Sequence, residues 1–311
     1  MIALVTGSAG FIGSHICEEL VKTGIVTIGI DDLSAGTLDN IKHLEYNPLF
    51  KQVKVDVTDK EALSELFEHY KIDVIFHNAA SKKNVCLTNP QRDCDVNAKG
   101  TLNLLQLAHK HKISKFVHAS TGSVYGEPVY IPQNETHPLN PASYYGVSKL
   151  AGERYVNVFH QLYGMNTTIL RYFHVIGERQ SSHPQFGGVV SIFINKIKNS
   201  EQVTIFGDGT QERSFTYVKD VVNANIQAWK NPASNGQVYN CASGIKVTVS
   251  ELADDLMELM NNDVGINYKD WMIGDIKVFD IDNFKIKRDF NLEFTEYKES
   301  LRKTLRGSNA V

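Results

Sequence analysis

The stretch that most constrains this chain is its opening, MIALVTGSAGFIG. An apolar run at 2–5, short enough for a buried strand, runs directly into three glycines, Gly7, Gly10 and Gly13. Beyond them Ile12, Ile16 and Leu20 recur once per helical turn and Gly24 supplies a stop, so 11–23 reads as a helix. A strand, a glycine turn and a helix in that order aim free N–H groups and the positive end of the helix dipole at the turn, a seat for phosphate. Glycines there permit the tight turn, the close approach of backbone to a pyrophosphate and the packing of helix on strand. The next apolar run, 26–30, ends at Asp31, where a carboxylate can take both hydroxyls of a ribose. A dinucleotide follows, and NAD over NADP, because a 2′-phosphate would meet the charge of Asp31 and no arginine stands in IDDLSAG.

The strand–helix alternation continues. VKVDV at 53–57 reads as a third strand, with Asp56-Val57 at its end either flanking an adenine or merely capping the strand. Thr58 and Glu61 form a capping-box pattern opening a helix to about Tyr70. Residues 73–77 give a fourth strand, a long helix follows Asn97, and 115–120 and 167–175 are further strands. Such repetition predicts an α/β fold, a doubly wound parallel sheet covered on both faces. Past 176 the alternation weakens, although 187–197 and 249–260 look helical, so the second half reads as a smaller domain at the carboxyl ends of the strands. A length of 311 residues suits about two units of ~150.

Composition narrows the function classes. A net charge of −3 gives no reason to expect nucleic acid as a partner. No stretch approaches the ~18 apolar residues of a membrane span, and the N-terminus lacks the cationic and long apolar regions of a leader. Cys17, Cys86, Cys94 and Cys241 show no CxxC spacing and no histidine set nearby, so neither a metal site nor a disulfide framework is expected and a reducing cytoplasm is.

Residues 142–153 read ASYYGVSKLAGE and place Tyr145 four residues before Lys149, on one helical face. An aromatic packed along a lysine stem would look the same. Taken with Gly-x-x-Gly-x-x-Gly, however, the pair resembles the extended short-chain dehydrogenase/reductase family. The resemblance covers nearly the whole chain and includes HNAA (77–80), DVNAKGT (95–101), ASTGSVYG (119–126), YYGVSK (144–149), RYFHVIGERQ (171–180), FGDGTQERSFTYVKDVV (206–222) and GDIKVFDID (274–282). It points to the nucleotide-sugar epimerase/dehydratase branch and a Rossmann-type fold. The implied domains are an NAD-binding one over 1–173 plus about 213–235, and a nucleotide-sugar-binding one over about 174–212 and 236–311.

The resemblance implies roles residue by residue. Tyr145 is the acid/base; Lys149 lowers the phenol's pKa together with a positive nicotinamide and positions the cofactor ribose. Thr121 holds the substrate oxygen, with Ser123 a second hydroxyl contact. Asn97 fixes the active-site helix, or simply caps it. Gly7, Gly10, Phe11, Ile12, Gly13, Asp31, Asp32, Asp56, Val57, Ala79, Ala80 and Lys82 line the NAD site together with Asn97, Tyr145 and Lys149. Lys82, Thr121, Ser123, Tyr145, His174, Arg213, Asp275 and Phe279 face the nucleotide sugar, Arg213 pairing with its diphosphate unless it is a surface arginine, and Asp275 holding its ribose. Relatives that eliminate or decarboxylate place an acid just after the Thr121 position; Gly122 and Ser123 stand here. The expectation is therefore 4-epimerisation of a nucleotide-linked hexose of the glucose/galactose kind by transient C4 oxidation, with dehydration or decarboxylation as the alternative. His174, Met272 and Ser214 depart from the family pattern at the substrate end, where Lys269 or His174 could compensate, and the bulk of Phe279 favours a hexose without a 2-N-acetyl group. A homodimer is implied through helices at about 98–112 and 144–163, whose outer faces include Leu104, Leu107, Tyr155 and Phe159, although such residues more often serve the chain's own core.

Overall fold

The computed structural model describes residues 1–81, 83–183, 187–271 and 276–307. Six early apolar runs become β1 (Ile2–Thr6), β2 (Val26–Asp31), β3 (Phe50–Lys54), β4 (Val74–His77), β5 (Lys115–Thr121) and β6 (Thr167–Tyr172). With a last strand, Gln237–Cys241, they form one sheet in the order Gln237–Cys241, β6, β5, β4, β1, β2, β3. The ladders from β3 through β5 are parallel, with Leu4 opposite both Ile28 and Ile75. Strand order reverses between β1 and β4, so their carboxyl ends open the crevice at which such sheets bind ligands. Buried strands read as continuous apolar runs because helices cover both faces.

The chain forms two compact units. One comprises 1–121, 144–171 and 222–239, the other 122–143, 172–221 and 240 onward. The core of the first gathers Leu4, Ile28, Ile75, Phe116 and Ile169. Leu104, Leu107 and Phe159 belong to that same core, at 9% exposure or less, so they do not form an outer face; of the four residues expected there only Tyr155 is exposed. The second unit packs Ile194, Ile205, Phe215, Leu252 and Leu301 around its own centre. Among the described residues no helix is long and apolar enough to cross a membrane.

Several boundaries shift for local reasons. The third strand is Phe50–Lys54, earlier than expected, because Asp56 turns the chain: its carboxylate accepts from Thr58 N (2.9 Å) and its carbonyl from Asp59 N (3.0 Å). Asp56 and Val57 therefore follow the strand rather than end it. The helix Lys60–His69 is capped by Asp59, not Thr58, through bonds from Glu61 N and Ala62 N. Asn97 is no cap either. It lies within a helical path that begins at Pro90–Cys94 behind an Asn89 cap, widens to a π-turn over Asp95–Gly100, and continues as Thr101–Lys110. The apolar run 167–175 breaks after Tyr172, where His174 adopts φ +33°, and Val175–Ile176 pairs instead with Thr216–Tyr217.

Candidate functional site

Local geometry builds a phosphate cradle at the end of β1. Gly7 sits at φ +69°, and a methyl group on it would stand 2.9 Å from the Ala79 amide nitrogen. One on Gly13 would stand 2.1 Å from the Gly7 carbonyl oxygen. Gly10 N donates to that same oxygen (3.0 Å) and caps the helix Phe11–Lys22, which begins with Phe11 and Ile12 and has no side-chain cap. A backbone cradle closed to any side chain, at an uncapped helix end, suits the pyrophosphate of a dinucleotide. Ala79 and Ala80, after β4, form the opposite lip and are half-buried.

Asp31 closes the next strand and is buried. Its Oδ2 accepts from Ala9 N (3.0 Å) and its Oδ1 from Leu33 N (2.8 Å). Burial pushes its pKa up; the two amides oppose that, and neighbouring Asp32 adds to it. Each carboxylate oxygen keeps a second lone pair, as a ribose diol requires. Asp32 and Asp56 lie beyond the carboxyl ends of β2 and β3, and Arg92 joins them. NAD therefore fits the residues present.

Beside the cradle, Tyr145 is the second residue of the helix Tyr144–Tyr163, and Thr121 is the last of β5. A hydrogen bond links the two side chains. Lys149, 2% exposed, donates from Nζ to the Ala119 carbonyl at 2.6 Å. Burial pushes its pKa down to about 8, against the pull of Glu153 and Asp93. The phenol does not show the expected depression. Burial raises it to about 12, Asp93 and Cys86 add to that, and the bond to Thr121 opposes them. The lysine alone does not lower the tyrosine; a further positive charge is needed. Tyr144, the residue before Tyr145, is 59% exposed.

Asn97 is fully buried in the π-turn. Its Oδ1 accepts from Ser81 N (2.9 Å), and its Nδ2 donates to Asp93 Oδ1 and Ser148 Oγ (3.0 Å each). Ser148 Oγ donates on to the Tyr145 carbonyl (3.1 Å), so the turn and the tyrosine's helix share one polar clamp. One turn past Lys149, Glu153 accepts from Ser120 Oγ (2.5 Å) and from Arg171 Nε and Nη2 (2.9 and 2.8 Å) in a fully enclosed bidentate pair. The rings of His77 and His118 lie tilted with centres 5.3 Å apart; burial, with the charge of Lys149, pushes His77 down to about 3 and His118 in the same direction.

In the second unit, Gly122 is buried, and a Cβ there would come within 2.3 Å of the Phe173 ring. Ser123 is half-buried beside it. Arg213 is buried rather than a surface arginine, donating from Nη1 to the carbonyls of Ile276 (2.8 Å) and Glu212 (2.9 Å). Its guanidinium lies 5.5 Å from the centre of the Phe279 ring. Phe279, 6% exposed, is also met edge-on by His174 (4.9 Å) and Phe173 (6.0 Å). Ser214 is engaged by Ser243 Oγ and Gly244 N. Lys269 is exposed on a strand paired with Val203–Phe206. Lys82, Met272 and Asp275 lie outside the described residues.

Sequence reading missed Asp93, Ser148, Glu153, Arg171 and Arg92. Two of these had a signal in the spacing: Asp93 precedes Asn97 by four residues, and Glu153 continues the Tyr145, Lys149 series by four more. Arg171 and Arg92 had none, since their partners lie 18 to 60 residues away.

Residues 3–242 match the profile of the NAD dependent epimerase/dehydratase family. A UDP-glucose 4-epimerase of Mycolicibacterium smegmatis is 40% identical over 81% of this chain and 80% of its own. A UDP-glucuronate 4-epimerase of Thermodesulfobacterium geofontis is 32% identical over 98% and 95%. Among solved structures, a UDP-glucose 4-epimerase of Thermotoga maritima with UDP-glucose superposes with a TM-score of 0.94 at 34% identity, covering 99% of each chain. One from Thermus thermophilus in complex with NAD gives 0.92 at 32% identity over all of both chains.

Proposed function

Because the chain belongs to the NAD dependent epimerase/dehydratase family, we propose that it interconverts the C4 epimers of a nucleotide-linked hexose of the UDP-glucose/UDP-galactose kind, with NAD as its cofactor. The observation that carries this reading is the Thr121–Tyr145 hydrogen bond, with buried Lys149 one turn away, at the carboxyl end of β5 in the sheet that carries the phosphate cradle. NAD held at the Gly7–Gly13 cradle would supply a reversible hydride acceptor for C4. Tyr145 takes the proton of the C4 hydroxyl and later returns it, and Thr121 and Ser123 orient that oxygen. Lys149, fixed on the Ala119 carbonyl, contributes charge and holds the phenol's helix at a set distance. The phenol's high intrinsic pKa makes proton removal depend on the added positive charge of the cofactor ring, so Tyr145 is a competent base only in the loaded enzyme.

Gly122 supports epimerisation over dehydration or decarboxylation. A side chain there would run into Phe173, so this backbone has no room for the acid that eliminating relatives place after the threonine. At the substrate end we assign Arg213 to the diphosphate, with Lys82, His174, Asp275 and Phe279 around nucleotide and sugar. The solved relative with UDP-glucose supports that class.

We also assign a homodimer. Tyr144, Val147, Tyr155, Val158 and Leu162 recur along one helix and are 38% exposed or more, an apolar stripe of the kind that a second copy covers. Free cysteines without framework spacing support a cytoplasmic setting. The test is proton NMR of the anomeric region with UDP-galactose and no added NAD, then with NAD. UDP-glucose formed without net NADH supports the proposal; a 4-keto-6-deoxy or decarboxylated product would sink it.

A further inference from the structure

Arg92 stands on the short helix Pro90–Cys94, and its guanidinium does something the assigned chemistry does not use. Nη2 donates to Asp32 Oδ2 and to Asp56 Oδ2, each at 2.8 Å, and Nη1 donates to Thr58 Oγ1 at 3.3 Å. The two carboxylate oxygens are therefore no farther apart than those two bonds laid end to end. Without the cation between them, two like charges would face each other at the carboxyl ends of β2 and β3, beside Asp31. Their side chains, and that of Arg92, are about 30% exposed, so the bridge crosses the mouth of the site, not its interior. Asn89 caps the helix by accepting from Arg92 N (3.0 Å), which fixes the backbone from which the side chain reaches.

We propose that Arg92 is a latch over the adenosine end of the dinucleotide site: strung between Asp32 and Asp56, it retains NAD and tempers the negative charge that a 2′-phosphate of NADP would meet. This rests on the reading of the glycine loop and Asp31 as an NAD site. Held by two carboxylates, the guanidinium is occupied and cannot serve a 2′-phosphate, although it is the one cation among the described residues that bonds to both strand ends. Burial pushes Asp56 up, but the Thr58 amide and Arg92 outweigh it and hold the carboxyl below its usual range, as a persistent bridge requires.

The test is calorimetric titration of NAD and of NADP into cofactor-free wild type, Arg92→Met, Arg92→Lys and Asp32→Asn, with melting temperatures recorded alongside. A lost charge-assisted bond predicts NAD about tenfold weaker in Arg92→Met. NADP falls by a larger factor there, since uncompensated carboxylates then meet an added phosphate. Arg92→Lys recovers part of the loss, and Asp32→Asn, which releases one arm of the guanidinium, tightens NADP. A brace for the fold alone would lower the melting temperatures of Arg92→Met and Asp32→Asn alike while leaving the NAD-to-NADP ratio unchanged in every variant; that result overturns the latch, as does unchanged NAD affinity in Arg92→Met. If Arg92→Met does not fold, the opposite NADP responses of the other two variants decide. Wild type that binds neither dinucleotide overturns the cofactor reading, and the latch falls with it.

Discussion

The two units hold their candidate residues in different ways. In the first, the side chains around Tyr145 are held by directional bonds: Lys149 on a carbonyl, Asn97 on three partners, Glu153 on Arg171 and Ser120. In the second, Arg213, His174 and Phe279 meet as rings and a guanidinium, and Arg213 also donates to main-chain carbonyls. Directional bonds tolerate little displacement, whereas aromatic packing accepts several side chains at similar cost. Under the proposed reading, the chemistry rests on directional bonds and the recognition of the sugar nucleotide on ring packing. That contrast accounts for a sequence that keeps the Thr121, Tyr145 and Lys149 pattern and departs from it at His174, Ser214 and Met272.

The contrast breaks most visibly at Tyr145. Tyr145→Phe should lower turnover by about 10³–10⁴ while NAD still binds, measured by steady-state rates and titration of cofactor. Turnover within tenfold of wild type would end the assignment. Next comes Glu153→Ala, which strands Arg171 in the interior and should cost about 3–5 kcal/mol in urea unfolding. A loss below about 1 kcal/mol would show that the rigid half is not held as described.

Acid should act on the same half. His77, pushed down to about 3 by burial, titrates near 6.5 when unfolded. Between those values the unfolded chain binds the extra proton, so stability is full above about 6.5 and declines as pH falls toward 3. The slope approaches ~1.4 kcal/mol per pH unit for this histidine, and His118 adds in the same direction. His77→Gln should flatten the decline in unfolding midpoints measured from pH 7 to 4. The smallest effect belongs to the loose half. His174→Asn should change KM for the nucleotide sugar by about tenfold or less and leave NAD affinity alone, as a single contact in a tolerant pocket allows.

Much of the rigid half was legible because its signals are local. The glycine turn, Asp31 and the Tyr145–Lys149 face all lie within single strand–helix steps, and periodicity places such elements well. What escaped was set by tertiary contacts. Leu104, Leu107 and Phe159 have the spacing of an outer face but are drawn into the core, because burial depends on which helix lands beside them. The π-turn around Asn97 leaves no mark in an otherwise helical sequence; there Asn97 meets three polar partners from three segments. The depression expected at Tyr145 calls on the nicotinamide charge as well as Lys149; without that charge burial keeps its pKa high, since desolvation depends on depth and not on the residue one turn away. At the substrate end, Phe279 was read as a gate by its size, yet its ring is enclosed by Phe173, His174 and Arg213, which only the folded unit reveals.

The measurement that bears most directly on this account follows the hydrogen on C4. UDP-galactose deuterated at C4 is incubated with the purified protein in ordinary water and the product examined by NMR and mass spectrometry. The account predicts UDP-glucose with the deuterium still on C4, because the phenol handles only the hydroxyl proton and the carbon-bound hydrogen never reaches solvent. Deuterium washed out of C4, or moved to C6 in a 4-keto product, would contradict it.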